Sequence, residues 1–167
     1  MGWLKEMYED HGFVLSILDL LDIYSKRLNE GKAEPEKLTM ILELSHDFTE
    51  RCHHGKEERA LFPILTKRSK QTVDGLLLEH EKGKALIKGI SDSGKEKKIR
   101  LISEYQALIK AHIEQENLFF KECGRKLDRS EIESIESGFD RINAETLGKA
   151  GRKEIAGRIS RIKESLK

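Results

Sequence analysis

Apolar residues along this chain of 167 residues recur at steps of three and four, the period that puts side chains on one stripe of an α-helix. Four long segments carry the pattern. The first runs from about Trp3 to Asn29, with Leu4, Met7, His11, Val14, Leu18 and Leu21 on its stripe. After the break GKAEPE, where Pro35 suits a first helical turn, the second extends from about Glu36 to Lys67. Its stripe holds Ile41, Leu42, Ser45, Thr49, His53, Glu57 and Ile64, and Pro63 is expected to kink or end it. TKRSKQT reads as a loop or helix boundary. The third segment carries Val73, Leu77, His80 and Ile87 and stops near SDSG at 91–94. The fourth, from about Lys95 to Cys123, holds Ile102, Tyr105, Ile109, His112, Glu116 and Phe119 in register, with Gly124 placed to cap it. Asp128-Arg-Ser-Glu131 has the form of a capping box and opens a fifth helix. The basic, glycine-spotted remainder from about Gly148 suits one weaker amphipathic helix packed outside the rest.

Long helices joined by short breaks favour antiparallel neighbours. The expected fold is therefore all-α: an up-down-up-down four-helix bundle over 1–124, with a C-terminal extension of one or two helices, 125–167, packed on it. Composition agrees, since 37% hydrophobic and 37% charged residues make a thin core under a highly charged surface. Lys and Arg number 31 against 30 Asp and Glu, and a net charge of +1 removes the electrostatic case for nucleic acid or an anionic membrane. Cys52 and Cys123 are too few for a disulfide framework, and no C-x-x-C occurs. No apolar run approaches the roughly 20 residues of a membrane span, and MGWLKEMYEDHG lacks the apolar segment of a signal peptide. The expected setting is a reducing cytoplasm.

Histidine falls where apolar residues belong. His11, His53, His80 and His112 each sit on the stripe of a different helix, and Glu57 and Glu116 follow two of them by four positions. Residues four apart stack on one helical face, so each His-x3-Glu pair can aim at a common spot. Buried carboxylates facing one another are very costly unless cations sit among them. Imidazole and carboxylate together suit iron, manganese, zinc or copper and not soft-thiolate chemistry. In an up-down bundle the four levels roughly agree in height, so the six side chains can converge.

His11 in EDHGFVLSILDLL, HHGKEERALFP at 53–63, LEHEKGK at 78–84 and HIEQENLFF at 112–120 resemble the hemerythrin-like, or HHE cation-binding, domain family over roughly residues 5–123. The resemblance implies two non-heme irons inside the bundle, bridged by two carboxylates and an oxo or hydroxo group, with zinc or manganese as other occupants. Carried over by position, the metal ligands are His11, His53, Glu57, His80, His112 and Glu116. Leu61 and Phe62 stand eight and nine residues after His53 and so select His53 with Glu57, leaving His54 and Glu58 as outer partners or surface groups. Two departures count against plain oxygen carriage. Lys84 stands where the carriers have a second histidine on the third helix, and Glu116 lies at i+4 where they have aspartate at i+5. Open positions on each iron imply binding of, or reaction with, O2, NO or peroxide, or the sensing and handling of iron. Gly83, one turn past His80, is expected to keep bulk away from one such position. His46 reads as a solvated or outer residue, Tyr105 as core, and Cys52 as packing. The alternative is a metal-stabilised regulatory module without turnover, with its partner surface in the tail after residue 124. A protein partner or a homo-oligomer is compatible with either.

Overall fold

A computed structural model describes residues 2–167, and every element among them is helical. Helix α1 is Gly2–Asn29. Helix α2 is one rod of changing pitch: α-helical over Pro35–Ser45, π-helical over His46–His54 and again over Glu57–Leu61, then α-helical over Phe62–Leu65. Helices α3 (Lys70–Asp92) and α4 (Lys95–Gly124) complete an up-down-up-down bundle in which α4 returns beside α1. Helices α5 (Arg129–Thr146) and α6 (Arg152–Ser165) lie on its outside, against α1 and α2.

Local chemistry sets most of the boundaries. The Ser69 hydroxyl accepts from the Thr72 N–H at 3.3 Å and starts α3. Asp128 and Glu131 form the expected reciprocal capping box, at 2.9 and 3.1 Å, and start α5. One expectation changes. Gly124 does not cap α4 in a left-handed conformation; it lies within the last turn, and Arg125 follows with φ −71°. The Lys126 N–H bonds back to the Cys123 carbonyl at 2.8 Å, so a tightened turn satisfies the helix end instead. Pro63 sits in the first turn of the restarted α-helical stretch, where its missing N–H is harmless, and α2 continues to Leu65.

The interior is two apolar cores rather than one. One core joins Val14, Leu18, Leu21, Ile41, Phe48 and Ile109 with Ile155 and Ile162 of α6. The other joins Trp3, Met7, Leu61, Phe62, Phe120 and Phe139 of α5. Along all four bundle helices the polar stripe residues fall between these cores. His11 separates Met7 from Val14, His53 and Glu57 separate Cys52 from Leu61, His80 separates Leu76 from Ile90, and His112 and Glu116 separate Ile109 from Phe119. The equal heights expected from loop counting are therefore present.

Helix α5 packs on α2 by close approach. A Cβ placed on Gly138 would stand 2.6 Å from Ala60 Cβ, too close for two carbon atoms. Alanine favours a helix over glycine by about 0.8–1 kcal/mol, but overpacking a close contact costs about 1–3 kcal/mol. Gly138→Ala is therefore expected to lower stability by up to about 2 kcal/mol in urea unfolding. An unchanged or raised midpoint would show that α5 shifts without penalty.

Candidate metal centre

Seven buried side chains fill the layer between the cores: His11 from α1, His53, His54 and Glu57 from the π-helical part of α2, His80 from α3, and His112 and Glu116 from α4. All six residues picked out by spacing are in this layer. His54 joins them, although an α-helix would carry it away from His53. In a π-helix each residue turns through a smaller angle, so consecutive side chains diverge less. Cys52, His53 and His54 are accordingly buried in succession.

The carboxylates span the layer. Glu57 Oε1 lies 3.5 Å from His53 Nε2, and its Oε2 lies 3.3 Å from His80 Nε2. Glu116 mirrors it from the opposite helix, with Oε2 3.2 Å from His11 Nε2 and Oε1 3.0 Å from His112 Nε2. His80 and His112 bring their Nε2 atoms to 3.1 Å, and the His54 ring stacks on His80 at 3.7 Å between centroids. Two groups result, each with donor atoms within 4.8 Å of one another. One is His11, His53, Glu57 and Glu116; the other is His54, Glu57, His80 and His112. Each group is able to hold a metal ion.

The outer ring nitrogens say which way the inner ones face. His80 Nδ1 meets Glu58 Oε1 at 2.7 Å, His112 Nδ1 meets Glu79 Oε2 at 2.7 Å, and His11 Nδ1 meets Asn117 Oδ1 at 2.8 Å. These acceptors take the Nδ1 proton and leave the Nε2 lone pair pointing inward, the arrangement that metal-binding histidines adopt. Both Glu57 oxygens and Glu116 Oε1 are buried without a hydrogen-bond partner. Lone pairs converging without protons to share are what a cation satisfies and an apolar core does not. The residues present thus fit a metal.

The remaining expectations sort as follows. His46 is exposed at the bundle side. Tyr105 is core, its phenol facing Ser45, and burial pushes its pKa up to about 12. Cys52 is buried, donates weakly to Asn143 Oδ1 at 3.7 Å, and has its pKa raised by burial. Lys84 binds Glu81 at 2.7 Å on the surface. Gly83 does not face the centre: a Cβ there would meet Tyr105 and Ile109 at ordinary contact distances of 3.6 and 3.7 Å. A side chain there would pack on an aromatic and an aliphatic neighbour, away from any coordination position. Glu58 is an outer partner, of His80; Glu79, Asn117 and Asp10 were not singled out from the sequence. Glu58, Glu79 and Asp10 each adjoin a centre residue in sequence, which is the only signal they carry.

Protons and cations compete for this layer. Burial alone would lower the pKa of His80, but Glu57 and Glu58 hold it up to about 10. His112 is likewise raised to about 9, against burial, by Glu116 and Glu57. Burial would raise Glu116, yet His11 and His112 hold it well below the usual carboxylate range. His54 goes the other way: burial dominates and lowers it, so it stays neutral.

The family model described as Hemerythrin HHE cation binding domain matches residues 4–123. Searches of curated proteins and of solved structures find no match. No helix among the described residues is long and apolar enough to cross a membrane.

A raised folded-state pKa means that the native protein holds protons the unfolded chain has lost. For His80 and His112 that stabilisation is complete below their usual value of 6.5 and disappears as pH rises through about 9 and 10. Chelator-treated protein is therefore expected to lose stability steadily from pH 7 to pH 9 in urea titrations. Metal-loaded protein, whose imidazoles are already deprotonated, should show a flatter profile. Equal slopes for the two forms would contradict this account of the layer.

Proposed function

The chain belongs to the hemerythrin HHE cation-binding family, and from that premise we propose that it is a non-heme di-iron protein that reacts with O2, NO or peroxide. His11 and His53 would hold one iron, and His54, His80 and His112 the other, with Glu57 and Glu116 able to offer an oxygen to each. The observation that carries this reading is the paired carboxylates, each placed with its two oxygens against imidazoles of different groups.

His54 changes the count of donors. With Lys84 turned to the surface, the third helix supplies one imidazole, and the π-helical turn of α2 supplies the additional one. One ion would then have three imidazoles and the other two, so the His11 and His53 side would have fewer protein donors and more room for an incoming ligand. That ligand is small, because the donor side chains are no more than 3% exposed. Bound iron would supply electron transfer and an open position for the ligand. The chain's own part is to fix ring orientation through Glu58, Glu79 and Asn117, to exclude bulk water, and to exchange protons for cations. A cytoplasmic location suits ferrous iron and two unpaired cysteines.

Anaerobic titration with Fe(II), followed by metal analysis, tests the reading. Two irons per chain are expected, with near-ultraviolet absorption appearing on oxidation and a visible change when the reduced protein meets NO. Glu57→Ala should lose both irons. His54→Ala should keep one and weaken the other by more than the roughly tenfold that loss of a mere outer partner costs. Zinc as the sole tightly held metal, or full iron content in Glu57→Ala, would refute the proposal.

A further inference from the structure

Residues 124–167 lie outside the part of the chain matched by the family model, yet one of them reaches the edge of the metal centre. Arg152, at the start of α6, forks onto Asp10 Oδ1 with its Nε at 3.1 Å and Nη2 at 2.7 Å. Asp10 is fully buried, and its other oxygen, Oδ2, faces His53 Nδ1 at 3.9 Å and also accepts from Lys56 Nζ. Glu6 closes the group. Its Oε1 accepts from Lys56 at 2.9 Å, from Asn143 of α5 at 2.8 Å, and from Arg152 at 2.9 Å. Two acids thus face two cations, and one cation of the pair belongs to the C-terminal extension.

His53 needs this arrangement more than His11, His80 or His112 do. His11, His80 and His112 already have Nδ1 partners at 2.7 to 2.8 Å. His53 Nδ1 is buried with no hydrogen-bond partner, and Asp10 is the carboxylate within reach of it. Whether Asp10 offers Oδ2 to His53 depends on what holds Oδ1. The two N–H groups of Arg152 fix the position of Oδ1, and with Lys56 on Oδ2 both oxygens of that carboxylate are held. Without Arg152, Lys56 alone would serve Asp10 and Glu6, and Oδ1 would lose the partner that keeps Oδ2 turned toward the ring.

We propose that Arg152 and Asp10 are positioning residues for His53, so that docking of the C-terminal extension and occupation of the His11–His53 cation site support each other. This rests on the metal reading above. The coupling is reciprocal by thermodynamic necessity: what Arg152 adds to metal affinity, metal adds to the docking of α6.

The test uses the full-length protein and Fe(II) under anaerobic conditions. Arg152→Ala with unchanged helical content should retain one tightly bound iron and weaken the other by about tenfold or more, the usual effect of removing an outer partner of a metal ligand. Glu145→Ala is the control, because it breaks the exposed Arg59–Glu145 pair that also ties α5 to α2 at 2.8 Å, and it should keep both irons at wild-type affinity. Wild-type affinity for both irons in Arg152→Ala, or equal weakening of both, overturns the proposal. Should Arg152→Ala fail to fold, amide hydrogen exchange of the wild type decides. Iron should slow exchange across Arg152–Ser165, and identical exchange with and without iron overturns the proposal. Wild-type protein that takes up no iron would sink the di-iron reading itself, a result distinct from these.

Discussion

Seven polar side chains at one level, each walled by apolar packing above and below, impose the constraint around which this bundle is organised. Two buried carboxylates and five imidazoles cannot be satisfied by one another, because lone pairs outnumber the protons available to them. A cation at each of two points would resolve the excess and tie four helices at the same height. The pKa directions express the same pressure: rings that the glutamates dominate are driven towards the cationic form, and His54, where burial outweighs Glu50 and Glu57, is lowered. Hydrophobic burial assembles the rods, and the polar layer fixes how they are aligned.

The fold was legible because four stripes of 3.6-residue period, separated by short polar breaks, leave little choice but an antiparallel bundle. The His53-x3-Glu57 and His112-x3-Glu116 pairs were legible for the same reason: positions four apart share a face. His54 was not, because its placement depends on a π-helical pitch that the stripe Ile41–Ser45–Thr49–His53 does not report. A trace of it exists in Phe48 and Cys52, core-type residues one position before Thr49 and His53, which give α2 two adjacent apolar lines where an α-helix needs one. Gly83 was misread because a glycine's role depends on what stands opposite it, and Tyr105 and Ile109 lie on another helix. Gly124 was misread because the helix end tightens through the Lys126 N–H on the Cys123 carbonyl, which needs no left-handed residue.

The extension shows how chain outside the bundle can belong to the bundle's interior. Ile155 and Ile162 enter one core, Phe139 enters the other, and Arg152 and Asn143 complete the charge balance of Asp10, Glu6 and Lys56. A lysine with no exposed surface is unusual. Here it is held by two carboxylates and lies 5.5 Å over the Phe139 ring. This cluster sits one residue away from His11 and Glu57 in sequence, so elements remote along the chain meet at the rim of the metal centre.

The division of the interior into two cores has a kinetic side. Each core is a separate knot of side chains, and the polar layer is the seam between them. Loosening the end that holds Trp3 and Phe120 would leave the packing around Leu21 and Ile41 in place, so the helices would stay in register while the seam is uncovered. Cooperative units that open separately are a familiar property of folded chains. In this architecture they offer ions a doorway into a sealed interior that does not require the whole bundle to come apart.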